Sequence, residues 1–244
     1  MKLSTLWKMN YGWAYKYFGK KLKSFVSFKW YVFFGAKPLP YTVDGVTILF
    51  KPISPYQHAW VRSVIKNYER GPLLLWKRLS VKSQKIADVG GYAGIYGLLA
   101  SKANPGAKVF IFEPDLLNCR QIRENIKINQ LTNIEVIEAV AGNYTGETFF
   151  ALHAGATGGS IAEKGQPVRS VMLKEYGDFD LVKICAHGAE LKVLEGSPYI
   201  KNLILKVYPE FQTKEDEKKL WKILEGKDVI PIDKPEYRTI YYVR

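Results

Sequence analysis

A glycine-containing turn between a buried strand and a helix is the first feature of this sequence that could do chemistry. Its motif is Asp88-Val89-Gly90-Gly91-Tyr92-Ala93-Gly94, after the apolar run Ile86 to Val89. Glycine permits a tight turn and a close approach to a ligand, and the helix that follows offers free N–H groups. The G-x-x-x-G spacing differs from the G-x-G-x-x-G of dinucleotide sites. An acid at Asp88 favours a ligand with a cationic amino group over a diphosphate.

A second acid follows the next predicted strand, in Phe112-Glu113-Pro114-Asp115. Parallel neighbouring strands place their carboxyl ends side by side, so Glu113 is expected beside the turn, where a carboxylate can accept both hydrogen bonds of a ribose diol. Asn118 is expected on the surface of the following helix. The predicted cofactor-binding residues are Asp88, Gly90, Gly91, Tyr92, Gly94, Glu113 and Pro114. A doubly wound domain with an unrelated ligand is the alternative interpretation.

Strands alternate with helices from Lys85 onward, which predicts an α/β fold with a Rossmann-like, doubly wound, mostly parallel sheet. A C-terminal antiparallel pair is predicted at the end of the chain. The predicted strands are 86–89, 108–112, 134–137, 180–184, 202–208, 229–232 and 239–243. The predicted helices are 95–103, 116–129, 189–195 and 214–224. The glycine-rich segment 142–171 is interpreted as a hairpin plus an active-site loop.

The chain is predicted to have two parts, and the second begins with a hairpin and a helical region before the alternation starts. Residues 1–37 form a basic, aromatic, helical arm, and residues 38–244 form the Rossmann-like domain. Within 38–84, Asp44-Gly45 is the turn of a hairpin over 41–50, and a helix over 55–80 is interrupted near Gly71-Pro72.

Charge is concentrated in the arm. Of the net charge of +13, eight lysines and no acid fall within residues 1–37, which leaves +5 for the rest of the 244 residues. Such an arm could contact an anionic membrane surface or a protein partner, or it could pack on its own domain. Nucleic acid ranks below these. We expect no transmembrane helix and no signal peptide, and two distant cysteines favour a cytoplasmic, reducing compartment, with membrane association left open.

Five segments in order resemble class I S-adenosylmethionine-dependent methyltransferases, and among them the FkbM family. The resemblance covers about residues 41–232 and is carried by 41–50, 86–90, 112–115, Val182-Lys183-Ile184-Cys185-Ala186-His187-Gly188-Ala189-Glu190 and Leu205-Lys206-Val207-Tyr208-Pro209-Glu210-Phe211. It implies S-adenosylmethionine as cofactor and a hydroxyl of a sugar, lipid or secondary metabolite as methyl acceptor.

The last two segments depart from the family pattern. Where the family reads Lys-Ile-Asp-x-Glu-Gly-x-Glu, this chain has Cys185 and His187 in place of two acids. Where the family reads Glu-x-His-Pro-Glu, it has Lys206 and Tyr208. His187 is a candidate base or a residue facing solvent. Cys185 is interpreted as a small buried residue, and Lys206 is expected to pair with Glu210 or Glu190. The candidate catalytic residues are Lys183, His187, Glu190 and Glu210.

These observations predict an S-adenosylmethionine-dependent O-methyltransferase. One alternative is a catalytically inactive methyltransferase fold that binds a ligand or partner, because the acceptor side is altered while the cofactor side is kept. A lower-ranked alternative is an RNA methyltransferase that uses the arm to bind phosphates. No His, Cys or acidic cluster has metal-ligand spacing, so no metal is predicted.

Overall fold

The computed structural model describes residues 37–52, 69–152, 159–209, 213–234 and 238–244. These ranges leave out residues 1–36 of the arm predicted over 1–37, the candidate Glu210, and residues 55–68 of the helix predicted over 55–80.

A seven-stranded sheet forms the centre of the domain. Its members are β3 (Lys85–Val89), β4 (Lys108–Phe112), β5 (Ile134–Ile137), β10 (Phe179–Ile184), β11 (Ile200–Val207), β12 (Val229–Asp233) and β13 (Thr239–Val243). They lie in the order β12-β13-β11-β10-β3-β4-β5. The five neighbouring strands β11, β10, β3, β4 and β5 are parallel to one another. Strand β13 pairs antiparallel with both β11 and β12. The predicted doubly wound, mostly parallel sheet with a C-terminal antiparallel pair is therefore confirmed.

Two hydrophobic cores cover the two faces of this sheet. On the first face, strand residues such as Ile86, Leu181 and Ile204 pack with the hairpin β1 (Leu39–Val43) and β2 (Val46–Phe50) and with the helices α1 (Arg70–Ser80) and α2 (Ile95–Ala103). On the second face, Ala87, Val182 and Leu205 pack with the helices α4 (Glu190–Glu195) and α5 (Lys214–Ile223). A further helix, α3 (Leu116–Ile128), connects β4 to β5. Because side chains alternate between faces along a strand, each strand serves both cores.

The segment interpreted as a hairpin plus a loop is more extensively paired than predicted. Four short strands form a second sheet in the order β6-β9-β7-β8. These are β6 (Val140–Ala141), β7 (Gly146–Leu152), β8 (Gly159–Ala162) and β9 (Gln166–Val171). The hairpin is β7 with β8, but β9 also pairs along β7 and joins β6 in parallel. The glycines of this segment predict a loop, but hydrogen bonding between strands that are separated in the sequence gives it a sheet instead. Residues 153–158 of the predicted loop lie outside the described ranges.

Within the described residues, the helix predicted over 55–80 begins at Arg70, next to the predicted interruption at Gly71-Pro72. Gly71 and Pro72 lie in the first turn of this helix, α1. Proline is tolerated there because the first N–H groups of a helix have no partner within the helix. The residue before the helix, Glu69, has a left-handed backbone with φ of 58°, and its side chain is buried.

Candidate functional site

Three charged side chains lie on the same face at the carboxyl ends of adjacent strands. Lys183 of β10 is directly paired in register with Asp88 of β3. Lys206 of β11 lies two residues beyond Ile204, the register partner of Lys183. The period of two in a strand therefore turns all three toward α1 and α2, away from the second core. All three side chains are buried.

Asp88 and Lys183 form a buried ion pair, with 2.9 Å between Oδ1 and Nζ. The Lys183 ammonium also donates to the carbonyl oxygens of Val89 and Gly90, so its three hydrogens are all used within the protein. The other carboxylate oxygen of Asp88 accepts the backbone N–H of Gly97 in the first turn of α2. Burial acts to lower the pKa of Lys183, but the Asp88 carboxylate holds it above its ordinary value. This pair ties the glycine turn to β10 and α2.

The glycines of the turn are required by packing. A Cβ on Gly90 would overlap the carbonyl oxygen of Cys185, and its φ of +70° is in the left-handed region. A Cβ on Gly91 would overlap the side chain of Ile111, while Gly94 has a φ of +85° and lies against Ile122. The turn is thus held closely against β10 on one side and α3 on the other.

We expect Gly90→Ala to destabilise the protein more than Gly45→Ala does. Gly45 has a φ of +81°, and a Cβ added there would meet no atom within 4 Å, so alanine costs only the left-handed backbone penalty, about 1–2 kcal/mol. At Gly90 the overlap with Cys185 adds about 1–3 kcal/mol. Urea unfolding of both variants measures the difference, and equal losses would contradict the close packing of the turn against β10.

Glu113 lies beside the turn, as predicted, and the protein holds its carboxylate in place. Oε2 accepts the backbone N–H of Tyr92 at 2.7 Å. Oε1 accepts the N–H of Asp115 at 3.1 Å and the side-chain amide of Asn118 at 3.2 Å. Burial raises the pKa of Glu113 despite these three donors. Pro114 follows it at the end of β4 and, like Glu113, is buried.

The expectation that Asn118 lies on the helix surface is wrong. Asn118 is buried, with 8% of its surface exposed. Asp115 caps α3 by accepting the N–H of Asn118 at 2.8 Å, which makes Asn118 the third residue of the helix. Side chains at this position reach back over the start of the helix. The Asp-x-x-Asn spacing at the helix start was the signal for this contact.

Lys206 has a partner that the sequence did not predict. Its Nζ lies 2.6 Å from Oε2 of Glu69, which also accepts the Tyr96 hydroxyl at 2.7 Å. Oε1 of Glu69 pairs with Arg238 at 2.9 Å. Burial acts to raise the pKa of Glu69, but Lys206 and Arg238 lower it to about 2. The expected pairing with Glu190 is wrong, since the Glu190 carboxylate faces backbone amides, and Glu210 lies outside the described residues.

Tyr96 lies between the two buried ion pairs. Nζ of Lys206 is 4.4 Å from the centroid of its ring and Nζ of Lys183 is 5.4 Å away. Cations favour the electron-rich face of an aromatic ring. Glu69, Tyr96 and Arg238 are the site residues that sequence reasoning missed, and no spacing in the sequence relates them to one another.

The remaining candidates lie in the turn between β10 and α4. The Glu190 carboxylate accepts the N–H groups of Ala186 at 3.0 Å and Gly188 at 2.8 Å, so it closes the turn before α4. His187 has a left-handed backbone with φ of 45°, and its ring centroid is 4.8 Å from that of Tyr208. The Cys185 sulfur is 3.8 Å from the Tyr208 hydroxyl. His187, Cys185 and Tyr208 thus come together beside the glycine turn.

One curated relative shares part of this sequence, and no family model matches the chain. The chain is 34% identical over 89 residues to an uncharacterized protein of Methanocaldococcus jannaschii, a match that covers 35% of this chain and 33% of the relative. The chain therefore spans about a third of the length of the curated relative that it matches.

Several solved structures are similar at low sequence identity. The M. jannaschii TYW2 structure in complex with AdoMet has 14% identity and a TM-score of 0.47, with 85% of each chain covered. A SAM-dependent methyltransferase from Agrobacterium tumefaciens has 14% identity and a TM-score of 0.47, with 84% of this chain and 69% of that chain covered. A precorrin-6y C5,15-methyltransferase from Geobacter metallireducens has 15% identity and a TM-score of 0.45, with 69% and 86% covered.

Two features are absent from the described ranges. None of the helices placed there is long and apolar enough to cross a membrane. Across the same ranges, no three His, Cys, Asp or Glu side chains are grouped so that they could hold a metal ion.

Proposed function

We propose that this protein is an S-adenosylmethionine-dependent methyltransferase. The observation that carries the proposal is the position of Glu113 beside the Gly90–Gly94 turn, where the strand order of the sheet reverses. The chain passes from β3 outward to β4 and β5, then returns to β10 on the other side of β3. Ligands of open α/β sheets bind at this reversal, outside the carboxyl ends of the strands. The carboxylate and the turn lie at that place.

The residues around this crevice fit a nucleoside-containing cofactor. Glu113 is fixed by three N–H donors, and a carboxylate has about four acceptor positions, so it retains capacity for a ribose hydroxyl. Gly90, Gly91, Tyr92 and Gly94 would form the wall of the site, with Pro114 beside Glu113. Asp88 would act through Lys183 and α2, which it holds in place. S-adenosylmethionine supplies an electrophilic methyl group when bound.

The acceptor side is proposed to receive a hydroxyl group, as the resemblance to the FkbM family implies. The candidate groups of this side lie at the carboxyl end of β10, next to the glycine turn. Lys183 is in β10 itself, His187 is in the turn that follows, and Glu190 begins α4. Glu210 belongs to this proposal but lies outside the described residues. The acceptor is a small molecule, a lipid or a glycan, and the basic arm over 1–37 would hold the protein at an anionic membrane surface or against a protein partner.

A transfer assay tests the proposed activity. The full chain is incubated with S-adenosylmethionine carrying a deuterated methyl group and with a panel of phenols, sugars and lipid extracts. We expect one acceptor class to gain a CD3 group, detected by mass spectrometry, and the Glu113→Ala variant to lose that product. Cofactor binding without product from any class would contradict methyl transfer.

A non-catalytic binding protein is the second candidate function. The observation that favours it is the engagement of the charged acceptor-side groups within the protein. Lys183 uses all three hydrogens on protein oxygens, and Glu190 accepts two backbone amides. In that case the fold binds its ligand without turnover, and the transfer assay separates the two candidates.

A further inference from the structure

The donors that hold Glu113 are divided unevenly between its two carboxylate oxygens. Oε1 accepts the N–H of Asp115 at 3.1 Å and the side-chain amide of Asn118 at 3.2 Å. Oε2 accepts the N–H of Tyr92 at 2.7 Å, which is its one donor among the described residues. Because each carboxylate oxygen offers about two acceptor positions, Oε1 is filled and Oε2 keeps one position open.

The backbone and the side chain of Glu113 are both held in place. Asp115 caps α3 through the N–H of Asn118, so the start of the helix fixes the residue that donates to Oε1. The carbonyl oxygen of Glu113 accepts the thiol of Cys119 at 3.0 Å, and its N–H donates to the carbonyl of Ile137 at 3.1 Å. Glu113, Asp115 and Asn118 are all buried. The carboxylate therefore cannot turn without breaking several buried hydrogen bonds.

The open acceptor position belongs to the oxygen that faces the glycine turn. Tyr92 has a φ of 50°, a left-handed conformation that residues other than glycine rarely adopt, and its N–H reaches Oε2 from there. Oε1 instead faces the start of α3, where Asp115 and Asn118 lie. Only 4% of the surface of Glu113 is exposed, so a ligand can meet this residue only over a small area. Such an area suits one hydroxyl better than the two hydroxyls of a diol.

We infer that Asn118 positions Glu113 so that its carboxylate accepts one hydroxyl of the cofactor ribose, through Oε2, rather than both. This inference rests on the proposed methyltransferase function. It narrows the expectation of two hydrogen bonds to a ribose diol, because the Asn118 amide takes the acceptor position that a second hydroxyl would need. Asn118 is a positioning residue, since it acts through Glu113.

Two deoxy analogues of S-adenosylhomocysteine test the single contact in the wild-type protein. The parent compound and its 2′-deoxy and 3′-deoxy forms are titrated calorimetrically into the full chain at pH 7. We expect one deoxy form to bind about 10- to 100-fold more weakly than the parent, as for loss of a hydrogen bond to a charged group, and the other to bind within about threefold. Similar losses for both forms, with the parent bound, would overturn the inference alone. No binding of the parent would overturn the proposed function with it.

Removal of the Asn118 amide tests its positioning role. Asn118→Ala opens a second acceptor position, on Oε1, so the difference in affinity between the two deoxy forms should shrink to about threefold or less. Asn129→Ala is the matched control, because Asn129 is a buried asparagine at the end of α3 whose side chain bonds to the backbone of Leu49. It should keep the wild-type difference. An unchanged difference in Asn118→Ala would overturn the role of Asn118.

The pH dependence of binding provides a second measurement of this role. Burial raises the pKa of Glu113, and the Asn118 amide acts against this by donating to the carboxylate. Without the amide, Glu113 takes up its proton at a higher pH, so binding of S-adenosylhomocysteine should weaken at a higher pH on acidification. Asn118→Asp keeps the side-chain volume but lacks the donor, and it should shift the pH dependence in the same direction. Wild-type pH dependence in both variants would contradict the contact between Asn118 and the carboxylate.

Discussion

Lys183→Met will lower the free energy of unfolding by about 3–5 kcal/mol, the range found when one member of a buried ion pair is removed. The substitution keeps most of the side-chain volume but leaves the Asp88 carboxylate buried opposite an apolar group. It also removes the donor that joins the carbonyls of Val89 and Gly90 to β10. Urea unfolding at pH 7 measures the loss.

Two further variants make this result specific. Lys219→Met removes an exposed ion pair with Glu215 on α5 and should leave stability nearly unchanged, because exposed pairs contribute little. The double variant Asp88→Asn, Lys183→Met removes both buried charges, so its loss should be smaller than the sum of the two single losses. If the losses are additive, Asp88 and Lys183 do not interact as a buried pair.

Glu69→Gln will be similarly destabilising, by about 3–5 kcal/mol at neutral pH, because it removes the buried carboxylate that pairs with both Lys206 and Arg238. Arg238 keeps its longer contact with Asp233, at 3.9 Å. Glutamine keeps the shape of the side chain, so the loss reports charge and hydrogen bonding. The cluster joins the start of α1 to β11 and to the residue before β13, which lie far apart in the sequence. Unfolding of the variant beside the wild type measures it.

The effect of Glu69 should depend on pH in a defined direction. Its pKa in the folded state, about 2, is below the ordinary value of 4.5, so the unfolded chain binds the proton more readily. The stabilisation is therefore fully present above about pH 4.5 and is lost as the pH falls toward 2, by roughly 3 kcal/mol in total at about 1.4 kcal/mol for each pKa unit. The wild-type advantage over Glu69→Gln should shrink between pH 5 and pH 3. A constant difference would contradict an ionised Glu69.

The main sheet could be predicted because its signals are local. Apolar runs such as those ending at Val89 and Phe112 alternate with amphipathic helices, and the glycine turn marks the first crossover. The position of Glu113 followed from the rule that parallel strands end side by side. These predictions required only the order of the elements.

The partners of the buried charges could not be predicted in the same way. Asp88 and Lys183 are 95 positions apart, and Lys206 and Glu69 are 137 apart. Their contact depends on strand register and on which face each side chain takes, which are set by the whole sheet. The sequence alone predicts a ligand-facing acid at Asp88 and a pairing of Lys206 with nearby acids, whereas the protein pairs Asp88 with Lys183 and Lys206 with Glu69.

The measurement that most directly tests the central claim is a calorimetric titration of S-adenosylmethionine into the full chain. We expect the wild type to bind and Glu113→Ala to lose binding, because the carboxylate beside the glycine turn would be gone. Glu124→Ala is the matched control, since Glu124 is an exposed acid on the neighbouring helix α3, and it should bind like the wild type. No binding by the wild type, or undiminished binding by Glu113→Ala, would contradict a cofactor site at this strand end.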